Sequence, residues 1–370
     1  MKILQVNKFY YPWIGGIENV AKDLAEGLNG KDNIEMEILA CQSGGKGGVE
    51  TINGIKVYRA SSLGMLFRMP ISFEFFGMYR KLVKETDLVI LHHPFPLSFL
   101  AYSIFAKKKL VVWYHSDIVK QKLAGFLIEP LINYILKKAN FIFVSNKTII
   151  SESKFLNPLA SKCKIIPYGI NLAEYGLTPQ VEEKSKQIKN NYGVPLILSV
   201  GRLVYYKGFK YLIEAMAEVE GRLLIIGDGP LKEELNEQIK DSGLENKVCI
   251  IDPVKDLIPY YYACDLFVLS SVANSEVFGL VQMEAMACSK PVINTDLPTG
   301  VPEVSLDGET GFTVEPKNSK ALAYAINKII SDSDLKLKFS QAAKRRVEEF
   351  FKQEKFLEAN KKYFEEIIKE

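Results

Sequence analysis

Two carboxylates, Glu276 and Glu284, stand eight residues apart in the string Asn274-Ser275-Glu276-Val277-Phe278-Gly279-Leu280-Val281-Gln282-Met283-Glu284-Ala285-Met286-Ala287. The run before them, residues 265–270, is apolar enough for a buried strand, and residues 278–287 are apolar enough to lie beneath a domain surface. Acids flanking a strand-to-helix turn are costly to bury unless something uses their oxygens. If the whole interval were helical, they would be roughly 12 Å apart, at about 1.5 Å of rise per residue. That separation suits an extended ligand with hydroxyls at both ends and phosphate between them, the phosphate favoured by helix-start amides and the helix dipole. Taken alone, the pair is equally well read as a capping Glu276 and a solvated Glu284.

Three other stretches bear groups of similar use. The expected strand 196–200 runs into Gly201-Arg202-Leu203-Val204-Tyr205-Tyr206-Lys207-Gly208. There Gly201 permits close backbone approach, Arg202 offers a bidentate fork and Lys207 a compact charge, together a diphosphate clamp; the alternative is a surface turn with solvated bases. Near the N-terminus, Tyr11-Pro12-Trp13-Ile14-Gly15-Gly16-Ile17-Glu18 precedes an amphipathic stretch. Gly15 and Gly16 would expose amides at a helix start to an anion or a sugar, or form a plain tight turn. The expected strand 110–114 ends in His115-Ser116-Asp117. A histidine at a strand's carboxyl end can bond a hydroxyl or phosphate, but a lone histidine is more often structural.

Other matches fail on chemistry. Gly227-Asp228-Gly229-Pro230-Leu231-Lys232 has Lys232 where a dinucleotide fingerprint needs its third glycine, and is better read as a loop and helix start on the nucleotide side. Ser43-Gly44-Gly45-Lys46-Gly47-Gly48 lacks the Lys-Ser/Thr pair of a phosphate loop and is expected to be a flexible loop. Asp332-Ser333-Asp334 is expected to be an N-cap turn, not a metal site. With only His92, His93 and His115 as histidines, and Cys41, Cys163, Cys249, Cys264 and Cys288 scattered without C-x-x-C spacing, neither a metal site nor a disulfide framework is expected.

The elements that must position these groups follow from the hydrophobic pattern. Strand-like runs at 2–6, 36–41, 56–59, 88–92, 110–114, 141–145 and 164–166, then 196–200, 222–226, 248–251, 266–270, 291–294 and 311–314, alternate with amphipathic stretches. This predicts parallel sheets of β-α-β units. The pattern pauses over the polar residues 178–191, and 370 residues favour two domains. The expected division is 1–172, 173–350 and a C-terminal helix at 351–370 packing back toward the first domain, with ligands at the carboxyl ends of the strands in a cleft. Hydrophobic residues make up 48% and charged residues 25%, an ordinary globular balance, and no apolar run reaches the roughly 20 residues of a spanning helix. The N-terminus lacks a signal peptide's cleavage pattern, so a cytoplasmic protein is expected.

Charge is uneven. Residues 1–172 hold 22 Lys/Arg against 13 Asp/Glu, a net +9, and the remainder 25 against 31, a net −6. The basic half suggests an anionic partner. Residues 65–84 and 118–138, with Lys107, Lys108 and Lys109, could form a basic apolar face on a membrane, or Phe and Met there could be core. No nucleic-acid-binding module is present.

In this order along nearly the whole chain, the motifs resemble those of the GT-B glycosyltransferases of glycosyltransferase family 4. The resemblance rests on Tyr11-Pro12 with Gly15-Gly16-Ile17-Glu18, Trp113-Tyr114-His115-Ser116-Asp117-Ile118-Val119-Lys120-Gln121, Ile166-Pro167-Tyr168-Gly169-Ile170, the Gly201–Gly208 string and the E-x7-E pair Glu276 and Glu284. Within that family the strings are most similar to bacterial polysaccharide mannosyltransferases. The resemblance implies two Rossmann-like, doubly wound α/β domains facing a central cleft, and a retaining hexosyltransferase. It also implies a nucleotide-sugar donor (GDP-mannose favoured, a UDP-sugar the alternative) and a lipid-linked or saccharide acceptor, with neither metal nor other cofactor. It would place the enzyme peripherally at the inner face of the cell membrane. By the same resemblance Arg202 and Lys207 would neutralise the diphosphate beside Gly201, and Glu284 would bind the ribose. Glu276 would hold the sugar with the Phe278, Gly279 and Leu280 amides, Gly15 and Gly16 would close from the first domain, and His115 would touch the transferred sugar. Three positions depart from the pattern. Val277 replaces a common glycine, Asp252-Pro253-Val254 replaces a glycine-bearing loop where the base is expected, and Thr299-Gly300 replaces a double glycine, to which no role is assigned. The rival readings are a sugar-nucleotide epimerase on the same fold and a non-catalytic nucleotide-sugar-binding scaffold.

Overall fold

The computed structural model describes residues 1–13, 15–66, 69–105, 108–117 and 122–369. Ile14, Phe67, Arg68, Lys107 and residues 118–121 of the motifs above lie outside them. The chain forms two compact units, Met1–Tyr168 with Lys355–Glu370, and Gly169–Glu354.

The first unit is built on an eight-stranded sheet: β1 (Lys2–Val6), β2 (Glu35–Cys41), β3 (Gly48–Ile52), β4 (Ile55–Ala60), β7 (Leu88–His93), β8 (Lys109–Tyr114), β9 (Phe141–Val144) and β10 (Cys163–Ile165), ordered β10-β9-β8-β7-β1-β2-β4-β3. The short pair β5 (Met65–Leu66) and β6 (Met69–Pro70) stands apart. Every pairing in the large sheet is parallel except β3 on β4. Strands such as Leu88–His93 are buried at every position, as parallel strands covered on both faces must be. β3 is absent from the expected strands because its residues are mostly exposed and carry no alternation. Its one signal is the Asn53-Gly54 turn into β4. Gly45, expected in a flexible loop, is bridged to Ser62.

The second unit carries six parallel strands: β11 (Leu196–Val200), β12 (Arg222–Ile226), β13 (Val248–Ile251), β14 (Leu266–Val268), β15 (Val292–Thr295) and β16 (Gly311–Val314), ordered β13-β12-β11-β14-β15-β16. This is the doubly wound nucleotide-binding order, in which the sheet reverses direction between its first and fourth strands. Among its parallel strands the first unit follows the same rule, with its reversal between β1 and β7. Ile197, Leu212, Ile225, Val268, Ile293 and Ile326 are among the side chains buried in the second unit's core.

The polar stretch expected to connect the domains is instead a helix of the second unit, Pro179–Tyr192. Thr178 accepts the Val181 amide at 3.2 Å, Pro179 opens the first turn and Gly193, at φ +82°, ends it. These end signals make a helix of residues that bury little more than Ser185 and Ile188. The passage between units falls at Tyr168, ahead of the expected 172, and the return at Lys355 falls after the expected 351.

The C-terminal helix, Gln353–Lys369, packs largely on the first unit's sheet: Phe356 and Phe364 are buried, and the Trp113 Nε1 group donates to Asn360 Oδ1 at 3.1 Å. Asn360→Ala leaves that buried N–H without an acceptor. The expected cost is about 1–3 kcal/mol, read from denaturant unfolding followed by tryptophan fluorescence.

Candidate functional site

In the second unit the reversal of strand order separates the loops that follow β11 and β14, and both carry the residues singled out above. After β11 come Gly201, Arg202 and Lys207; after β14 comes Glu276, and then the helix Leu280–Ala287 that bears Glu284. The two loops touch at Gly208, whose φ of +68° is left-handed and where a Cβ would stand 2.0 Å from the Ser270 carbonyl oxygen. Only glycine allows that approach. It is secured by the Ser270 hydroxyl donating to the Lys207 carbonyl at 2.9 Å and the Val272 amide to the Tyr206 carbonyl at 2.7 Å.

Lys207 Nζ lies 2.5 Å from Glu276 Oε2, both side chains nearly buried. Ser271 also donates to that oxygen, at 2.9 Å, and its own carbonyl accepts from Thr295 Oγ1 at 2.5 Å. Burial alone would lower the Lys207 pKa, but the Glu276 charge and hydrogen bond, helped by Glu284, hold it above the usual lysine value. Lys207 is therefore a fixed cation within the field of both acids.

Glu284 accepts from the Tyr261 hydroxyl at 2.6 Å. Burial raises its pKa, and the tyrosine bond and Lys207 offset only part of that rise. Glu276 is not helical: Gly279, at φ +72° and ψ 61°, is the N-cap and the helix begins at Leu280. The acids thus occupy a loop and the second turn of a helix, not two ends of one helix. Gln282 Nε2 donates to the Phe278 and Val301 carbonyls at 2.8 and 3.2 Å, and the Gly300 amide donates to the Val277 carbonyl at 2.8 Å. Thr299-Gly300, assigned no role, therefore helps tie down the turn that presents the Phe278, Gly279 and Leu280 backbone. Arg202 is exposed and has no ion pair among the described residues. Asp252, where the base is expected, pairs with Lys232 at 2.5 Å.

Ser271 and Tyr261 were not singled out in the sequence. Each is an ordinary strand-end or helix residue there, and only the fold turns it toward a glutamate.

In the first unit Gly15 is the N-cap of the helix Gly16–Leu28, without a side-chain cap. His115 follows β8 as expected, but both its ring nitrogens are taken: Nδ1 lies 2.6 Å from the Tyr168 hydroxyl and Nε2 2.8 Å from His92 Nδ1. Its ring stacks on Trp113 and His92. Burial first, then His92 and His93, lowers its pKa well below the usual value. His115 is thus a neutral, internally bonded side chain here, with no nitrogen open to a sugar. Asp332, by contrast, is the expected N-cap, accepting the Leu335 amide at 2.9 Å.

Comparison with known proteins adds the family. The Glycosyltransferase Family 4 profile matches residues 14–174, and the Glycosyl transferases group 1 profile matches residues 180–346. The D-rhamnosyltransferase WbpZ of Pseudomonas aeruginosa is 30% identical over 88% of this chain and 86% of its own length. The O-antigen chain mannosyltransferase C of Escherichia coli is 27% identical over 97% and 96%. Among solved structures, Anabaena Alr3699/HepE in complex with UDP-glucose superposes with a TM-score of 0.81 at 22% identity, covering 99% of this chain and 100% of that one. The two profiles together span most of both units, and the relatives align over most of both chains: the chain belongs to the family 4, group 1 glycosyltransferases of the GT-B fold.

Proposed function

We propose that the chain is a metal-independent, retaining hexosyltransferase that moves a hexose, mannose favoured, from a nucleotide sugar to a lipid-linked or saccharide acceptor in surface polysaccharide or glycolipid synthesis. The observation that carries this reading is the nearly buried Lys207–Glu276 pair at the strand reversal, with Glu284 on the adjoining helix. A donor diphosphate would draw Lys207 from Glu276 and take Arg202 as a second cation, leaving Glu276 for the sugar hydroxyls and Glu284 for the ribose. The Phe278, Gly279 and Leu280 amides would support sugar and phosphate. The bond from the anomeric carbon to the phosphate oxygen breaks as the acceptor oxygen bonds the same face, and the acceptor's proton passes to the departing phosphate. The residues act mainly by positioning and charge stabilisation. The E. coli mannosyltransferase favours mannose as the sugar.

A thermal-shift panel of GDP-mannose, UDP-glucose and ADP-glucose tests the donor, since a ligand at about 100 times its Kd stabilises by roughly 2.7 kcal/mol. GDP-mannose alone is expected to shift the transition. No shift with any of the three would leave the chain without a donor site and sink the reading. Tyr261→Phe removes the hydrogen bond on Glu284 and should lower donor kcat/KM about tenfold, near the low end for a bond to a charged group.

Membrane contact at the inner face belongs to the same proposal. Among the described residues no helix is long and apolar enough to cross a membrane. Exposed Leu63, Met65, Leu66, Ile71 and Phe73 lie on and beside the antiparallel pair β5–β6, followed by exposed Arg80, Lys81 and Lys84. Leu66→Ser with Phe73→Ser is expected to weaken cosedimentation with anionic vesicles; unchanged binding would remove this surface from the proposal.

A further inference from the structure

The second unit uses its strand reversal for the site above; the first unit has one too, between β1 and β7, and what stands there is aromatic. Residues 9–13 leave β1 at that point. We propose that Trp13 and Tyr11 form a fixed shelf that stacks the pyranose ring of a saccharide. This rests on the transferase reading and assigns saccharide recognition to named residues of the first unit.

Single exposed apolar side chains are normal and call for no explanation. These two differ in how they are held. Trp13 is 45% exposed, yet one face lies on the buried Phe9 ring, 4.8 Å between centroids and 17° from parallel. Its amide donates to the Tyr10 carbonyl at 3.3 Å. Tyr11 is 44% exposed, with Lys22 Nζ 5.5 Å from its ring centre. Beneath them runs Arg59, only 5% exposed, which donates to the Tyr10 carbonyl at 3.3 Å and to the Tyr11 carbonyl, while its Nε pairs with Glu50. A buried guanidinium committed to two successive loop carbonyls is a costly way to shape a turn. It makes sense where the turn must present its side chains in one arrangement.

The chemistry of the shelf selects its occupant. An aromatic face is negative, and the C–H groups on one side of a pyranose are weakly positive and nearly coplanar, so the two stack while the sugar's hydroxyls remain at the rim. Ligands of doubly wound sheets bind beyond the strand ends at the reversal, where this loop lies.

The chain's two tryptophans make the test direct, because Trp113 is fully buried and Trp13 is not. Iodide should quench Trp13 alone. Saturating methyl α-mannopyranoside or methyl α-glucopyranoside is expected to cut the quenching constant of the full chain by roughly half, as the open ring face is covered. In Trp13→Phe, which keeps a ring to stack on Phe9, no saccharide-dependent change should remain. Quenching unaltered by either saccharide overturns the proposal, as does a saccharide response that survives in Trp13→Phe. Protection by anionic phospholipid vesicles in place of saccharide also overturns it, since the shelf would then rest on a membrane. The nucleotide-sugar thermal shift is measured separately. A wild-type chain that shifts with a nucleotide sugar but shows no protection loses the shelf alone, and one that shows no shift loses the transferase reading.

Discussion

Lys207→Ala should reduce kcat/KM for transfer about 10²–10³-fold, the usual loss when one preorganised charge is removed from a developing oxyanion. The substitution has a second effect. Glu276 would remain nearly buried with Ser271 as its hydrogen-bond donor, and an unpaired buried charge costs roughly 3–5 kcal/mol when fully enclosed. Activity could therefore fall because the second unit unfolds. Lys207→Met combined with Glu276→Gln separates the two causes: it removes both charges, so stability by denaturant titration should recover while transfer stays lost. Lys207→Arg is no conservative control, since a planar fork replaces a compact ammonium ion. Glu276→Gln alone should bind a nucleoside diphosphate without sugar more tightly than the wild type, because Lys207 is released from its partner. Near-wild-type turnover in Lys207→Ala would remove the diphosphate role from this residue.

Acid should destabilise the first unit before the second. All three histidines of the chain are buried there, and burial lowers the pKa of His92 and of His93 to about 3. In the unfolded chain each returns to about 6.5. Between those values the unfolded state binds more protons, so the stability owed to neutral histidines is complete above about pH 6.5 and is lost as pH falls below it. At pH 4.5 the loss is roughly 2–3 kcal/mol for each of the two, with His115 adding in the same direction. Both tryptophans lie in this unit, so fluorescence-detected unfolding at pH 7.5 and 4.5 reads it specifically. Among the described residues neither ring nitrogen of His93 has a hydrogen-bond partner, and its ring stacks on Phe99 and Tyr114. His93→Phe should therefore cost little at neutral pH and flatten part of the acid slope. A pH-independent unfolding midpoint would show that these histidines are not held neutral.

Much of this protein is written locally. Thirteen strand runs and their alternation with helices are visible because a buried parallel strand must be a short, nearly continuous apolar run. The Gly201–Gly208 and Glu276–Glu284 strings are visible because clamp and acids each lie within a few residues of one another. Features that depend on distant partners or on the ends of an element leave no such local mark. The helix Pro179–Tyr192 was masked by its polar surface, and β3 by its exposure at the sheet edge. Nothing near Ser271 or Tyr261 in sequence marks them as supports of Glu276 and Glu284. His115 carried a plausible ligand-binding context, but Tyr168 and His92, brought to it by the folding of the first unit, occupy both nitrogens.

The sequence by itself determined the fold class, the family and the residue types of the donor site, because periodicity and short motifs are properties of neighbours along the chain. Tertiary structure decided which of those residues meet. Lys207 and Glu276 are brought together because β11 and β14 pair side by side, and the loops leaving them are closed on each other at Gly208, where no other residue would fit.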